Sequence, residues 1–312
     1  TNFVMRYIKK AVPPYRFANS TTLKRALRAG VGQKLDVVEL GYADIAYLQY
    51  TGGTTGVSKG AMLSHRNMVY NVQQTMTWQG SLYDGVEPVV AITALPLYHI
   101  FSLQTNFLTM MAQGGLNVLI TNPRDMPGFV KELSKVPFSM VPGVNTLFNG
   151  LLNTPGFAEL DFGHLKGALG GGMAVQRAVA NRWREVTGTP LVEAYGLTET
   201  SPAACINPFD IEEFNGCIGL PISSTECGIM DDDGALLAQG EVGELVVRGP
   251  QVMKGYWQRP EETAAAIDAE GWFHTGDRGS VDNDGFLSIT GRMKSLLASS
   301  IESLRSSGSR PT

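Results

Sequence analysis

One stretch of the chain, Tyr50–Gly60, combines the residue types that bind phosphate groups. Its eleven residues include four glycines, three threonines, one serine and a single lysine, Lys59. Glycines let several backbone N–H groups point to one place, hydroxyls add donors, and an ammonium group supplies positive charge. The order differs from the common G-x-x-x-x-G-K-[ST] loop, because Ser58 stands where glycine is needed and Gly60 where a hydroxyl residue is needed. The stretch predicts a phosphate-binding loop, with a flexible surface loop as the alternative.

A second stretch, Glu193–Thr200, offers a ring, a hydroxyl and a carboxylate within five residues. Tyr195 can stack on a base, Thr198 can donate to a phosphate, and Glu199 can bind Mg²⁺. The same residues also suit a helix start, with Thr198 as its cap and the glutamate in its first turn. Taken alone, the stretch fits a ligand loop and a helix start equally well.

A third stretch, Gly271–Asp277, is followed at a short distance by Gly291 and Arg292. The carboxylate of Asp277 can accept hydrogen bonds from ribose hydroxyls, as acidic residues do in other nucleotide sites. In isolation, an aspartate in a turn is the more common explanation.

The chain between these stretches alternates short apolar strands with segments of helix length. A helix is predicted from Ser64 to about Trp78. The predicted strands are Val89–Thr93, Asn117–Ile120, Phe138–Val141, Leu165–Leu169 and Leu191–Ala194, and the helices between them are Phe101–Ala112, Pro127–Val136, Val144–Asn153 and Val175–Thr187. This alternation predicts an α/β fold with a doubly wound, mostly parallel sheet and functional loops at the carboxyl ends of its strands. Beyond residue 202 the predicted strands Glu226–Met230, Glu244–Val247 and Phe286–Thr290 are separated by turns, which indicates a smaller β-rich subdomain.

Composition narrows the class of protein. The 312 residues are 43% hydrophobic and carry a net charge of −4, which argues against nucleic acid as the main partner. The three cysteines lack the spacing of zinc ligands, and their small number fits a reducing compartment. Residues 88–123 contain no Asp, Glu, Lys or Arg, but prolines and amides interrupt every window of about 20 residues, so we expect core structure and no membrane span.

Taken together, these motifs resemble the AMP-forming acyl-CoA synthetase family, which includes luciferases and the adenylation domains of peptide synthetases. The motifs occur in the family's order: Tyr50–Gly60, Tyr195–Glu199, Gly243–Gly249 with Gly255–Trp257, Thr275–Asp277 and Thr290–Lys294. Gly52, which stands where many members carry serine, and the runs Gly60–Asn67 and Gly271–His274 resemble bacterial long-chain fatty acid–CoA ligases. The resemblance covers residues 1 to about 297.

The resemblance implies a role for each matched residue. It implies nucleotide binding by Thr51, Gly52, Gly53, Thr54, Thr55, Gly56, Lys59, Gly171, Gly172, Tyr195, Gly196, Thr198, Asp277 and Arg292. It implies Mg²⁺ binding by Thr51 and Glu199, binding of the acyl substrate by His99, Phe101 and Gly170, and catalytic roles for Lys59, Thr198 and His99. A lone histidine in an apolar stretch is otherwise more often a core residue, and that alternative is kept for His99.

The implied reaction uses ATP, Mg²⁺ and coenzyme A to convert a fatty acid to acyl-AMP and then to acyl-CoA. The uncharged stretch at 88–123 suits the wall of an alkyl tunnel, since each buried CH₂ contributes about 0.8 kcal/mol. The alternatives are an aryl-acid or other acid–CoA ligase of the same family and a non-catalytic module that binds nucleotide or acyl-adenylate. We expect a cytoplasmic protein; a peripheral membrane contact and a homodimer are left open.

The expected organisation is an α/β part at 1–202, a β-rich subdomain at 203–291, a hinge at 292–297 and a disordered serine-rich tail at 298–312. Members of the family carry a further small domain after the hinge, which supplies a lysine for adenylation. We therefore expect this polypeptide alone to be a poor catalyst.

Overall fold

The computed structural model describes residues 3–11, 13, 17–51 and 58–293, apart from the side chain of Ser81. The predicted phosphate-loop residues Gly52, Gly53, Thr54, Thr55 and Gly56 lie outside the described residues, as do the tail and the hinge from residue 294 onward. The chain divides into two compact units, residues 1–40 and 41–312. The first contains a π-helical turn, Val4–Ile8, and helix α1, Leu23–Gly30, which Thr22 caps through the backbone N–H of Arg25.

The second unit begins with a hairpin that frames the predicted phosphate loop. Strand β1, Ile45–Thr51, pairs antiparallel with β2, Lys59–Ser64, and Thr51 stands opposite Lys59. Helix α2, His65–Gln79, follows at once, because the Ser64 side chain accepts from the N–H of Asn67 while the Asn67 side chain accepts from the N–H of Ser64. The helix agrees with the predicted segment to within one residue at each end, whereas β2 was missing from the prediction.

A seven-stranded sheet forms the centre of this unit. Its spatial order is β4 (Leu116–Leu119), β3 (Val90–Thr93), β5 (Met140–Gly143), β6 (Gly167–Gly170), β7 (Leu191–Gly196), β8 (Ala203–Ile206) and β9 (Leu220–Pro221). The first five strands are mutually parallel, and β8 and β9 are added antiparallel. The predicted mostly parallel sheet is confirmed.

Helices cover both faces of this sheet. Alternate residues of β3 point to opposite faces and belong to two different hydrophobic cores. Val90 and Ile92 of β3 belong to a core that contains Trp183, while Ala91 belongs to a second core with Phe101. The first core is covered by α5 (Met126–Leu133), α6 (Asn145–Leu152) and α7 (Arg177–Thr187). The second is covered by the continuous helical stretch made of α3 (Ile100–Ser102), a π-helix (Leu103–Leu108) and α4 (Thr109–Gln113). The sheet is therefore doubly wound.

The uncharged stretch at 88–123 is one strand–helix–strand unit of this sheet, made of β3, the helical stretch from α3 to α4, and β4. Its buried polar side chains are hydrogen-bonded: Asn106 donates to the hydroxyl of Thr93 within the unit, and Gln104 donates to the hydroxyl of Thr75 on α2. Within the described residues, no helix combines the length and the apolar character needed to cross a membrane.

A separate four-stranded antiparallel sheet contains, in order, β10 (Glu226–Met230), β11 (Gly243–Arg248), β12 (Phe273–Val281) and β13 (Leu287–Arg292). Helix α8, Pro260–Ala266, lies between β11 and β12 in sequence. The predicted β-rich character of this region is confirmed, although β12, which contains Asp277, was missing from the predicted strands. The division into domains at residue 202 stays a prediction; strand pairing changes from the large sheet to the smaller one between residues 221 and 226.

Candidate nucleotide site

Strands β6 and β7 are parallel neighbours, and the carboxyl end of β6 brings the predicted site residues Gly170, Gly171 and Gly172 next to β7. Gly170 ends β6, and a side chain on Gly171 would meet the ring of Phe101 at 3.2 Å. The Glu193 carboxylate on β7 accepts a hydrogen bond of 2.8 Å from the N–H of Val175, which fixes the segment that follows Gly172. Burial raises the pKa of Glu193, and this hydrogen bond opposes the rise. The carboxyl ends of β6 and β7 thus form a close-packed backbone surface, and it is at such ends that the sequence predicts functional loops.

Tyr195, Asp277 and Arg292 form one hydrogen-bonded group at this edge. The Tyr195 hydroxyl donates to Asp277 Oδ2 at 2.6 Å, and Arg292 Nε donates to Asp277 Oδ1 at 2.9 Å. Only 5% of Asp277 is exposed. Burial, and then the neighbouring Asp277 carboxylate, raise the pKa of Tyr195 well above its usual value, so its hydroxyl stays protonated and donates. Because Asp277 lies inside β12, the alternative of a turn aspartate is wrong.

A second group joins Lys59, Tyr256 and Glu199. The Tyr256 hydroxyl donates to Glu199 Oε1 at 2.7 Å, and Lys59 Nζ stands over the Tyr256 ring, 4.9 Å from its centre. Burial and then the charge of Glu199 raise the pKa of Tyr256, which keeps this donor protonated. Tyr256 was not among the predicted site residues, although the run Gly255–Trp257 was one of the motifs that carried the family resemblance.

The turn at residues 198–200 connects these two groups, and it contains two threonine hydroxyls with different roles. Thr198–Thr200 is a single 3₁₀ turn, and its start is capped by Thr200, whose hydroxyl accepts from the N–H of Leu197. The alternative in which Thr198 is the cap is therefore wrong. Among the described residues, the Thr198 hydroxyl has no hydrogen-bond partner, and its residue is half-buried, so it is available to a ligand.

Residues 249–257 hold Tyr256 in place by bonding to three distant elements. The backbone of Tyr256 bridges to Ala61 on β2, and the N–H of Trp257 donates to Gly60. The Asn67 amide on α2 donates to Pro250 and Val252, at 2.8 Å each. The N–H of Met253 donates to the carbonyl of Glu199 at 2.8 Å. The segment therefore fixes β2, α2 and the turn at 198–200 relative to one another.

The structure also gives the positions of three further predicted site residues, Thr51, His99 and Phe101. Thr51 ends β1, with its hydroxyl 3.5 Å from the carbonyl oxygen of Lys59. His99 is exposed, and its Nδ1 accepts from the N–H of Phe101 at 3.3 Å, so the alternative of a core histidine is wrong. Phe101 itself is buried against the second core. No hydrogen bond or ion pair between described residues joins His99 to the groups around Asp277 and Glu199.

Gly196 is the one residue between Tyr195 and the turn where the backbone admits no side chain. A Cβ there would overlap the carbonyl group of Pro202. We expect Gly196→Ala to lower the melting temperature by several degrees and to weaken nucleotide binding, because backbone must move to relieve the overlap. Gly291→Ala is the matched control: it lies in β13, and a Cβ there has nothing within 4 Å. Equal melting temperatures for the two variants, measured by calorimetry, would contradict the expectation.

Comparison with known proteins gives consistent results. A family model described as AMP-binding enzyme matches residues 8–257. A long-chain-fatty-acid–CoA ligase of Salmonella typhimurium is 53% identical over 297 residues, which is 95% of this chain and 52% of that protein. A feruloyl-CoA synthase of Amycolatopsis sp is 32% identical over 288 residues, covering 90% of this chain and 57% of that protein. The chain thus spans about half the length of the curated relatives that it matches.

Among solved structures, ATP-bound MatB from Rhodopseudomonas palustris superposes with a TM-score of 0.77 at 30% identity, over 85% of this chain and 52% of that one. The matched fold, the order of the motifs and the family model agree. The chain belongs to the AMP-binding enzyme family.

Proposed function

We propose that this chain carries the adenylation site of a long-chain fatty acid–CoA ligase. The carboxylate oxygen of the acid attacks the α-phosphorus of ATP, the bond to pyrophosphate breaks, and acyl-AMP forms. The thiolate of coenzyme A then attacks the acyl carbon, and AMP leaves. Adenylyl transfer of this kind depends mainly on positioning and on stabilisation of charge.

The group formed by Tyr195, Asp277 and Arg292 is the observation that carries the proposal. A carboxylate has about four acceptor positions, and the bonds from Tyr195 and Arg292 leave room for the two hydroxyls of a ribose. Both bonds also hold the carboxylate in one orientation, which lowers the entropy cost of binding. In the proposal the Tyr195 ring packs on adenine, and the backbone of Gly171 and Gly172 lies beside it.

The charged part of the site is assigned to the ends of the hairpin and the turn. In the proposal Lys59 contacts the β- and γ-phosphates, and the hydroxyl of Thr198, which has no partner among the described residues, contacts the α-phosphate. Lys59 begins β2, and its cation stands over the Tyr256 ring without an ion pair to Glu199, so its charge stays available. These roles are proposals for residues whose positions support them.

Mg²⁺ bound beside a nucleotide needs few ligands from the protein, and Glu199 and Thr51 are the residues that we assign to it. Only Oε1 of Glu199 is used by Tyr256, and Oε2 has no hydrogen bond from another described residue. Mg²⁺ bound next to ATP takes one or two carboxylates and fills its shell with phosphate oxygens and water. The described residues contain no cluster of three His, Cys, Asp or Glu side chains that could hold a metal on their own. When bound, Mg²⁺ would offset the charge of the phosphates.

The choice of acid is supported by two observations. Residues 88–123 offer no charged side chain to an acyl pocket, and the identity to a long-chain-fatty-acid–CoA ligase, 53%, exceeds the 32% to a feruloyl-CoA synthase. An aryl-acid ligase remains the second candidate, because that second relative is named for an aryl acid. His99 and Phe101 are proposed to line the acyl side of the site, next to Gly170.

The test is the melting temperature of the chain with non-hydrolysable acyl-adenylates that carry either a long alkyl or an aryl group. A ligand at 100 times its dissociation constant adds about 2.7 kcal/mol to the free energy of unfolding, a rise on the order of 5 °C for a chain of this size. We expect a rise with the alkyl analogue and a smaller one with the aryl analogue. A rise with the aryl analogue alone would favour the aryl-acid ligase, and no rise with either would contradict an adenylate site in this chain.

A further inference from the structure

Two of the three thiols lie in contact at the junction of the two sheets. Cys205 Sγ of β8 is 3.6 Å from Cys227 Sγ of β10, and both thiols are free. Strand β8 belongs to the seven-stranded sheet and β10 to the four-stranded sheet. A disulfide has an S–S distance of about 2.05 Å, so closing a bond here requires the two sulfurs to approach each other by about 1.5 Å.

The two thiols differ in access, which sets an order for their chemistry. Cys205 is fully buried, and Cys227 is half-buried. The contact with Cys227, and then burial, raise the pKa of the Cys205 thiol well above its usual value. A reagent from solution therefore meets Cys227 first. The raised pKa keeps Cys205 protonated and unreactive toward that reagent, while its sulfur stays in contact with Cys227. The third thiol, Cys217, is occupied separately: its sulfur accepts from the Ser288 hydroxyl at 3.3 Å.

We propose that Cys205 and Cys227 form a reversible dithiol–disulfide site that reacts with small disulfides such as oxidised glutathione. The Cys227 thiolate attacks one sulfur of the glutathione disulfide, whose S–S bond breaks, and one glutathione leaves and takes up a proton. The Cys205 sulfur then attacks Cys227 Sγ, the mixed disulfide bond breaks, and the proton of Cys205 passes to the sulfur of the second glutathione, which leaves as a thiol. Two protein thiols are oxidised, and one glutathione disulfide is reduced to two thiols.

The new bond would lie next to the nucleotide site. Cys205 stands directly opposite Tyr195 in the pairing of β8 with β7, and the Tyr195 hydroxyl holds Asp277. Drawing Cys205 toward Cys227 moves the strand that supports Tyr195, while Asp277 is carried by the other sheet. We expect the oxidised protein to bind AMP more weakly by about fivefold or more, since displacements of about 1 Å at a binding site have large effects.

The experiment incubates the full chain with oxidised glutathione, alkylates the remaining thiols and digests after glutamate. Glu212 and Glu226 separate the three cysteines, whereas no Lys or Arg lies between residues 205 and 227. We expect a cross-linked Cys205–Cys227 peptide without a glutathione adduct, and its loss on reduction. Cys205→Ser should instead trap a glutathione adduct on Cys227, and Cys227→Ser should leave the buried Cys205 unmodified. Cys217→Ser is the control and should form the cross-link as the parent does.

Two outcomes would overturn the proposal, and a third would overturn its link to the nucleotide site. A stable glutathione adduct on Cys227 of the parent would show that Cys205 does not attack, and a cross-link that includes Cys217 would assign the wrong pair. An unchanged AMP dissociation constant in the oxidised protein, measured by calorimetry, would overturn the link to Tyr195. This last measurement rests on the proposed nucleotide site, but the peptide mapping does not, so the two failures are distinguishable. Should Cys205→Ser fold poorly by its melting temperature, Cys205→Ala, which leaves no polar group buried, replaces it.

Discussion

Replacing Asp277 with alanine is expected to weaken AMP binding by about 100-fold. Each hydrogen bond from a ribose hydroxyl to a carboxylate contributes about 1.5 to 3 kcal/mol, and 1.36 kcal/mol corresponds to a factor of ten. The loss of two such bonds therefore costs about two orders of magnitude or more. The dissociation constant for AMP, measured by titration calorimetry, is the readout, and it needs no turnover.

The substitution also leaves the buried Tyr195 hydroxyl without its acceptor, which costs about 1 to 3 kcal/mol of folding free energy. Asp277→Asn keeps an acceptor of the same shape without the charge, so we expect an intermediate loss of AMP affinity with less effect on stability. Asp232→Ala, at an exposed turn position, is the matched control and should bind AMP as the parent does. An Asp277→Ala protein that folds and binds AMP within threefold of the parent would refute the ribose assignment.

Replacing Glu199 with glutamine is expected to abolish most of the gain in ATP affinity that Mg²⁺ provides. The amide keeps an oxygen for the Tyr256 hydroxyl but removes the negative charge that would bind the metal. Changes around a metal site usually cost about 10- to 100-fold in metal affinity, and we expect at least the lower figure. The measurement is the ATP dissociation constant with and without Mg²⁺.

The comparison with AMP separates this effect from a general disturbance of the site, since AMP lacks the β- and γ-phosphates whose charge a bound Mg²⁺ would offset. The loss should therefore be confined to ATP with Mg²⁺. Glu213→Gln, at an exposed position, provides the control for removing one carboxylate. A full Mg²⁺ effect retained by Glu199→Gln would show that another residue holds the metal.

The fold was largely predictable because its main helices and strands carry local signals. The buried strands β3, β5 and β6 are short apolar runs bounded by turns, and α7 shows helical spacing that ends at Gly188 in a left-handed conformation. Each of these patterns lies within a single strand or helix, so it can be recognised in the sequence without knowledge of the rest of the fold.

The missed strands lack such signals. Strand β2 contains Gly60 and follows a glycine-rich loop, and it is extended because it pairs with β1 on one side and the segment around Tyr256 on the other. Strand β8 has only four residues, Ala203–Ile206, between prolines. In both cases tertiary pairing overrides a weak local preference.

The residues of the candidate site are proposed from sequence motifs, but the contacts between them come from the structure alone. Motifs indicated Tyr195, Asp277 and Glu199, yet nothing in the sequence shows that the tyrosine hydroxyl bonds to an aspartate 82 residues away. The position of Tyr256 under Lys59 depends on the packing of residues 249–257 against α2, which no local pattern encodes. Contacts of this kind are decided by the whole fold.

The docking of residues 249–257 has a consequence for synthesis of the chain. Asn67 on α2 and Val252 are 185 residues apart, so at about 5 to 20 residues per second the first partner waits on the order of 10 to 40 seconds for the second. During that time one edge of β2 has no partner. Ala61 and Leu63 of this strand, which are fully buried in the finished fold, lie along that edge. Such an edge invites pairing with other chains. Nascent chains at this stage are therefore expected to depend on chaperones more than the finished fold does.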